Sequence, residues 1–320
     1  MRILVTPTSL QAGKKSAAMD ALMEFTQDLV FNPLGRPLTE DELIPLLKDC
    51  DGYIAGLDYV TEKAIKACSN LKVISRYGAG VDRVDLTAAK EAGVIVTNTP
   101  GVNAVAVAEL AMGLTLSAAR RISFLDRKTR EGGWVRSTGM ELGGKIMGIM
   151  GLGAIGKNVA AYAQGFGMKV MAYDPYINEA YAQNNHIEIA DFDTLVKEAD
   201  VISLHLPLTP QTKHLISREV MSRMKKTTII INTSRGGIID EEAAYDFLKN
   251  GSIGGLGLDA FEIEPPVNSM LFELENVVVT PHTGAHTKEA TDNMANSAVQ
   301  NLIDVLSGKQ CNCIIPLLTS

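Results

Sequence analysis

Three ionisable residues stand just beyond strand-like runs in the second half of the sequence. They are a cation, a carboxylate and an imidazole, namely Arg235 after the run 228–231, Glu264 after 255–258 and His282 after 277–279. In an open α/β sheet, the carboxyl ends of parallel strands share one edge, and ligands bind beyond that edge. We therefore expect these three side chains to lie near one another.

Together the three groups suit the reduction of a 2-oxo acid. The planar fork of Arg235 can hold a substrate carboxylate by two bonds and polarise the neighbouring carbonyl. His282 can protonate the carbonyl oxygen as a hydride arrives, while Glu264 favours the charged imidazole. We therefore predict a catalytic set of Arg235, Glu264 and His282, of which the first and last also bind substrate. Taken singly, each could instead be a surface ion-pair partner, a loop charge or a loop histidine.

A glycine-rich loop predicts where the cofactor that carries the hydride binds. The residues 151–156 read G-L-G-A-I-G, after the apolar run 146–150 and before an alanine-rich helical stretch. Gly151 permits a tight turn, Gly153 lets the backbone approach a pyrophosphate, and Gly156 allows close packing of helix and sheet. The first helical amides, at Ala154 and Ile155, then face the phosphates. This context predicts a dinucleotide-binding site, although glycine-rich turns alone are common.

An acidic residue ends the next strand-like run, 169–173. Asp174 lies 18 residues after Gly156, where a carboxylate accepts hydrogen bonds from the adenosine ribose and repels a 2′-phosphate. The sequence thus predicts NAD rather than NADP as the cofactor.

Short β-branched runs alternate with helical stretches, which is typical of parallel sheets joined by crossover helices. Five runs precede residue 100 and seven follow Lys145, with a long helix over 103–121 and a last helix over 288–306. We predict an α/β fold of two doubly wound, Rossmann-like parallel-sheet domains. The substrate domain is discontinuous, comprising 1–100 and 287–320, and 101–286 is the NAD-binding domain. Thr39 and Glu42 have capping-box spacing at one helix start.

Composition excludes several other classes. The chain has 320 residues, 46% of them apolar, and a net charge of -7 without a basic block, so we expect no nucleic-acid partner. The apolar stretch 102–119 contains Asn103 and Glu109 and is interpreted as a buried helix rather than a membrane span. The first residues lack a secretory pattern. The four cysteines lack CxxC spacing. We therefore expect a cytoplasmic protein with reduced thiols and no metal.

The motifs together resemble those of the D-2-hydroxyacid dehydrogenase family, and within it of phosphoglycerate dehydrogenases without added C-terminal regulatory domains. The similarity spans nearly the whole chain, and its motifs are the glycine loop and residues 77–82, 98–101, 107–110, 205–209, 232–237, 259–265 and 280–282.

The resemblance implies roles that spacing alone does not give. It implies catalysis by Arg235, Glu264 and His282, and two chains paired through their cofactor domains. It also assigns the substrate carboxylate to the loop that begins at Tyr77 and contains Gly78, Ala79 and Gly80. The cofactor contacts it implies are Val107 and Asp259 at the nicotinamide, Asp174 at the ribose, and Pro207 and Thr212 at the adenosine end, with His205 as a pocket wall and Thr233 nearby.

Two features depart from the family pattern. Phosphoglycerate enzymes usually carry an arginine where this chain has Ala-Gly-Leu-Asp at 55–58. We expect Asp58 near the pocket to disfavour a substrate phosphate, with Arg76 as a conceivable substitute cation. His286 replaces a small residue, and we interpret it as an exposed loop residue because no third metal ligand is evident.

Several functions remain open at this point. A glyoxylate or hydroxypyruvate reductase is an alternative to a phosphoglycerate dehydrogenase, and an NAD-sensing scaffold is an alternative of a different class. Formate dehydrogenases fit less well, since they have glutamine where this chain has Glu264.

Overall fold

The computed structural model describes residues 1–13 and 15–316. The chain divides into two compact units, Met1–Asn103 with His286–Ser320 and Ala104–Ala285. The predicted boundaries, 100/101 and 286/287, lie three residues and one residue from these. Residues 317–320 of the predicted substrate domain fall outside the described part.

The first unit contains a parallel sheet of five strands in its described residues, in the order β2-β1-β3-β4-β5. The strands are β1 (Arg2–Val5), β2 (Asp28–Phe31), β3 (Gly52–Ala55), β4 (Val73–Arg76) and β5 (Ile95–Thr97). The central strands β3 and β4 are buried along their whole length, as expected for a parallel sheet covered on both faces. The carboxyl ends of β4 and β5 therefore lead into neighbouring loops.

Helices cover this sheet. They are α1 (Ala17–Phe25), α2 (Glu40–Leu47), α3 (Glu62–Lys66), α4 (Leu86–Glu91) and α12 (Lys288–Leu306). Helix α12 has the predicted bounds and joins the unit from the far end of the chain, where Ser75 Oγ donates to the carbonyl of Ala298 at 2.8 Å. At the predicted cap of α2, the amide of Thr39 donates to Glu42 Oε2 at 2.9 Å. These contacts make the first unit discontinuous in sequence.

The second unit contains a seven-stranded parallel sheet, all of it within the described residues, in the order β12-β11-β10-β9-β6-β7-β8. The strands are β6 (Ile146–Met150), β7 (Lys169–Tyr173), β8 (Glu188–Ile189), β9 (Val201–Leu204), β10 (Ile229–Asn232), β11 (Gly255–Leu258) and β12 (Val277–Val279). From β6 the chain adds β7 and β8 on one side of the sheet, and it then returns to add β9 on the other side of β6. Dinucleotides bind beside such a reversal of strand order.

The helices of the second unit are α5 (Ala104–Arg120), α6 (Ile122–Arg130), α7 (Ala154–Gly165), α8 (Glu179–Asn184), α9 (Phe192–Glu198), α10 (Arg218–Met221) and α11 (Glu241–Lys249), with a 3-10 turn at Met270–Glu273. The predicted long helix over 103–121 ends at Arg120. Arg121 has a left-handed φ of 56°, which a right-handed helix cannot continue through, so α6 begins separately. The predicted class, two parallel-sheet α/β domains with a discontinuous first domain, is confirmed. Among residues 1–13 and 15–316, no helix is long and apolar enough to span a membrane.

Candidate active site

Three adjacent strands of the second unit end at the same edge of its sheet. Parallel pairing aligns Asn232 of β10 with Leu258 of β11, and Leu258 with Val279 of β12. The loops that leave these strands carry Arg235, Glu264 and His282. The topology thus brings the three predicted catalytic residues to one edge, as their positions after strands required.

A direct hydrogen bond joins two of these residues. His282 Nδ1 lies 2.7 Å from Glu264 Oε1, and both side chains are largely buried, with 28% and 19% exposed. Glu264 Oε1 also accepts from the amide of Phe261 at 3.3 Å. Because one imidazole nitrogen bonds the carboxylate, the opposite nitrogen, Nε2, is the one oriented for proton exchange with a ligand.

The loop that carries Arg235 is fixed by the asparagine that ends β10. Asn232 Oδ1 accepts from the amide of Ser234 at 3.0 Å, and its Nδ2 donates to the carbonyl of Arg235 at 2.8 Å. A side chain at Gly236 would place Cβ 1.8 Å from the carbonyl oxygen of Phe261. The backbone after β10 therefore packs directly against the loop that leads to Glu264, and only glycine permits that approach.

Asp259 has a structural role that sequence reasoning missed. Its Oδ1 accepts from the amide of Thr283 and the hydroxyl of Thr280, both at 2.7 Å, and its Oδ2 accepts from the amide of Gly284 at 2.8 Å. The residue is 2% exposed, and its carboxylate holds the turn that carries His282. No sequence motif signals this role, because the bonded partners lie more than twenty residues away.

Additional carboxylates surround the histidine–glutamate pair. The amide of Glu262 donates to Glu241 Oε1 at 2.7 Å, and the amide of Glu241 donates to Glu262 Oε1 at 3.2 Å. Glu262 Oε1 also lies 3.0 Å from His214 Nε2. Burial raises the pKa of Glu241, and the charges of Glu262 and Glu264 add to this increase.

The glycine loop has the geometry of a dinucleotide cradle. Gly151 has a φ of 96°, which other residues rarely adopt, and a Cβ at Gly156 would lie 2.1 Å from the carbonyl oxygen of Gly151. Gly153 caps helix α7 without a side-chain hydrogen bond and has open space where a Cβ would be. The first amides of α7, at Ala154 and Ile155, are therefore oriented toward an anion, as a pyrophosphate requires.

Asp174 lies beside this loop at the end of β7. Its Oδ2 accepts from the amide of Leu152 at 2.8 Å, and its Oδ1 accepts from the amide of Tyr176 at 2.8 Å. Each carboxylate oxygen can accept a second hydrogen bond. The geometry suits both a structural role in the loop and an acceptor role toward ribose hydroxyls.

Two buried polar atoms in this region have no hydrogen-bond partner within the described residues. They are His205 Nδ1 and the hydroxyl of Thr233. His205 is partly buried as a residue, but its Nδ1 is enclosed. Its Nε2 lies 2.9 Å from Ser203 Oγ. Burial lowers the pKa of the His205 imidazole to about 3. Because the backbone of His205 adjoins Gly151, its unsatisfied ring nitrogen fits a dinucleotide bound at the glycine loop, since buried polar groups are normally satisfied.

The remaining cofactor candidates fall into two places. Val107 is buried on α5, where a Cβ at Gly284 would contact its Cγ2 at 3.5 Å. Thr212 Oγ1 donates to the carbonyl of Pro207 at 2.6 Å and closes the loop that follows β9. Val107 thus adjoins the turn that carries His282, while Pro207 and Thr212 form one compact loop.

The predicted substrate loop belongs to the first unit and follows β4. The amide of Gly78 donates to Thr99 Oγ1 and to the carbonyl of Arg76, both at 3.1 Å. The hydroxyl of Tyr77 bonds Ser9 and Thr291 at 2.8 Å. The Gly78 amide and the Tyr77 hydroxyl are thus bonded within the first unit. The amides of Ala79 and Gly80 are the remaining candidate donors of this loop for a substrate carboxylate.

The predicted effect of Asp58 on a substrate phosphate stays a prediction. The residue is 1% exposed, and its carboxylate accepts from Thr6 Oγ1, Tyr53 OH and the amide of Leu38. Asp58 is therefore a buried residue of the first unit. The guanidinium of Arg76, also buried, donates to the carbonyls of Ala55 and Gly80 at 2.7 and 3.0 Å.

His286 is the first residue of the C-terminal segment of the first unit, and its side chain is exposed, as expected. Within the described ranges, no group of three or more histidine, cysteine and acidic side chains could hold a metal ion.

Comparison with known proteins identifies relatives of the whole chain. A family model described as "D-isomer specific 2-hydroxyacid dehydrogenase, NAD binding domain" matches residues 112–284. A D-3-phosphoglycerate dehydrogenase of Methanocaldococcus jannaschii is 44% identical over 87% of this chain, and a hydroxypyruvate reductase of Thermotoga maritima is 45% identical over 84%. The chain spans 54% of the first protein's length and 89% of the second's.

Solved structures agree with these relatives. The TT0316 protein of Thermus thermophilus is 36% identical, with a TM-score of 0.87 over 98% of this chain and 100% of that one. The similarity therefore extends across both units and is not limited to the dinucleotide-binding fold.

Proposed function

We propose, because the chain belongs to the D-isomer specific 2-hydroxyacid dehydrogenase family, that it interconverts a D-2-hydroxy acid and its 2-oxo acid with NAD. The observation that carries the proposal is the 2.7 Å hydrogen bond between His282 and Glu264. This pair lies at the edge of the sheet that also holds the dinucleotide loop.

The position of these residues at one edge of the sheet supports the following proposed roles. Bound NAD supplies the hydride acceptor in oxidation, and NADH supplies the donor in reduction. Arg235 binds the substrate carboxylate and polarises the adjacent carbonyl. His282 gives a proton from Nε2 to the carbonyl oxygen in reduction and takes it back in oxidation. Glu264 holds the imidazole by Nδ1 and fixes its orientation.

The substrate class is a small acid with a carbonyl next to its carboxylate. The amides of Ala79 and Gly80 are our candidates for further carboxylate contacts. Two relatives act, by their names, on phosphoglycerate and hydroxypyruvate. Asp58 disfavours a phosphorylated substrate by its charge, and Arg76, at the end of β4, is the candidate cation for a phosphate.

The decisive experiment measures oxidation of NADH by the purified protein with a panel of oxo acids. The panel contains glyoxylate, hydroxypyruvate, phosphohydroxypyruvate, pyruvate and 2-oxoglutarate. Turnover of at least one acid supports the proposal, and the ranking by kcat/KM assigns the substrate. Tight NADH binding without turnover of any acid would instead support an NAD-sensing scaffold, the alternative of a different class.

Asp174 supplies a prediction on cofactor choice. Replacing Asp174 with alanine should lower the preference for NADH over NADPH by at least about tenfold, because the Asp174 carboxylate no longer repels the 2′-phosphate of NADPH. The measurement is kcat/KM for each cofactor at a fixed, saturating oxo acid. Asp174→Asn is the matched control for structure, since it keeps an acceptor for Leu152 or Tyr176 while removing the charge. An unchanged preference in both variants would rule out the ribose assignment.

We further propose that two chains pair through the NAD-binding unit. Support comes from large apolar side chains on its surface, chiefly Trp134, which is 85% exposed, and Ile122 and Val135, which are about half exposed. Such a surface is typical of an interface. We expect Trp134→Ser to shift the mass in sedimentation equilibrium from two chains toward one. The control is Tyr176→Ser, which removes an aromatic side chain that is 94% exposed elsewhere on the unit. A wild-type chain that sediments as a monomer would contradict the pairing.

A cytoplasmic location is also part of the proposal. The four cysteines are free thiols, and disulfides persist mainly in oxidising compartments. Localisation of a tagged chain by fractionation tests this directly.

A further inference from the structure

Two thiols sit in a turn of the first unit, immediately after helix α12. Cys311 and Cys313 are both partly exposed and are separated by the exposed Asn312. Residues two apart in a chain are at most about 7 Å from Cα to Cα, and a turn brings them closer, within the range a disulfide spans. Proximity to Cys313 also affects the Cys311 thiol, whose pKa is raised mainly by burial.

A chain of side-chain hydrogen bonds leads from this turn to the loop after β4. Cys311 Sγ donates to Asn301 Oδ1 at 3.5 Å, and Asn301 Nδ2 donates to the carbonyl of Asn98 at 2.9 Å. Asn98 Nδ2 in turn donates to the carbonyl of Ala79 at 2.6 Å. Asn301 is 7% exposed, so its amide has little access to bulk water as a substitute partner.

The backbone of the same turn reinforces this connection. The amide of Asn98 donates to the carbonyl of Cys313 at 3.2 Å, and the amide of Ile315 donates to the carbonyl of Val96 at 2.8 Å. Ile314 forms an antiparallel bridge with Thr97. The segment that contains the thiols therefore continues the edge of the sheet beside β5 and holds Asn98 from two directions.

We propose that Cys311 and Cys313 form a reversible intramolecular disulfide, and that its formation loosens Asn98 and the Ala79 loop that Asn98 supports. The first part concerns a modification site and is independent of catalysis. The consequence for substrate binding rests on the proposed function, in which amides of that loop hold the substrate carboxylate.

The chemistry is thiol–disulfide exchange with a small disulfide such as oxidised glutathione. Because the Cys311 thiol is engaged with Asn301, Cys313 attacks first, loses its proton and forms a mixed disulfide as one glutathione thiolate leaves. Cys311 then loses its proton and attacks the Cys313 sulfur, which releases the second glutathione. The two cysteines lose two electrons and two protons, and one glutathione disulfide becomes two thiols. The Cys311 sulfur no longer carries the hydrogen that it donated to Asn301.

The other two cysteines provide an internal contrast. Cys50 and Cys68 are 0% and 5% exposed, and their sulfurs donate to the carbonyls of Leu46 and Cys50. Burial, with a smaller contribution from Cys68, raises the pKa of Cys50 to about 11. Reactivity requires an accessible thiolate, so this pair should stay reduced under conditions that oxidise Cys311 and Cys313.

The test treats the full chain with oxidised glutathione and compares it with chain kept in reductant. Mass spectrometry of the intact protein and of its peptides should show a loss of two hydrogens within the peptide that contains Cys311 and Cys313. Hydrogen exchange, measured without substrate, should become about twofold faster for the peptide containing Asn98, because the bond that is lost comes from a thiol, which is a weak donor. Reductant should reverse both changes.

Cys313→Ser is the matched control, because it keeps the backbone carbonyl that binds Asn98 while removing one sulfur. It should lose no hydrogens with the oxidant, and exchange at Asn98 should not change. Failure of the wild-type chain to form this disulfide, or disulfide formation without faster exchange at Asn98, would overturn the inference. If the chain turns over an oxo acid, oxidation should also raise its KM by about twofold. Absence of turnover would count against the proposed function but would leave the mass and exchange results intact.

Discussion

Replacement of His282 by alanine is expected to lower kcat for oxo-acid reduction by about 10²–10⁴-fold, the usual contribution of a positioned general acid. The imidazole is held by Glu264 at 2.7 Å, so its removal takes away the group placed to protonate the carbonyl oxygen. NADH affinity should be nearly unchanged, because the phosphate and ribose candidates lie in other loops. Steady-state kinetics and a fluorescence titration of NADH measure the two quantities separately.

His286→Ala is the matched control for this variant. This histidine is exposed four residues further along the chain, and its replacement should leave both quantities unchanged. If Glu264 acts through the imidazole, adding Glu264→Ala to the His282→Ala variant should cost little further activity. Near-normal kcat in His282→Ala would contradict its role as the proton donor.

Arg235→Lys should lower kcat/KM for the oxo acid by about 10²-fold or more, as expected for the loss of a charge-assisted, two-bond contact. Lysine keeps the positive charge but not the planar fork, so this variant separates geometry from charge. The loop around Arg235 is held by Asn232 and by packing of Gly236 on Phe261, which fixes the backbone from which the guanidinium extends. The measurement is kcat/KM over a range of oxo-acid concentrations at saturating NADH.

Arg218→Lys is the comparison for Arg235→Lys. Arg218 lies on the same unit and makes an exposed ion pair with Asp246 at 2.6 Å, so lysine there should have no effect on turnover. Wild-type kcat/KM in Arg235→Lys would show that the two-bond contact with the substrate does not exist.

Sequence patterns predicted much of the fold because parallel strands buried on both faces are nearly continuous apolar runs. Strands such as β6 and β9, and the helix Lys288–Leu306, fall within a few residues of the predicted bounds. The end of the long helix was predicted to within one residue, at Arg121 where the structure ends α5 at Arg120, but helix α6 (Ile122–Arg130) was not predicted. Arginine is a good helix former, so the sequence does not indicate that Arg121, with its left-handed φ of 56°, separates two helices.

The candidate site was predictable to the extent that its residues follow strands. Arg235, Glu264 and His282 could be placed at one edge from topology alone. The bonds of Asp259 to the 280–284 turn and the engagement of the Gly78 amide with Thr99 could not, because they join loops distant in sequence. The burial of Asp58 could not be predicted for the same reason: it depends on Thr6, Tyr53 and Leu38, which the local sequence around it does not indicate.

His282, Glu264 and Arg235 all belong to Ala104–Ala285, whereas the predicted substrate loop after β4 belongs to the other unit. Under these proposed assignments, reaction type and acid selectivity can diverge independently, because mutations confined to residues 1–103 would alter which acid is accepted while the hydride chemistry persists. Laboratory evolution toward a new oxo acid should accordingly accumulate its first beneficial changes in that stretch.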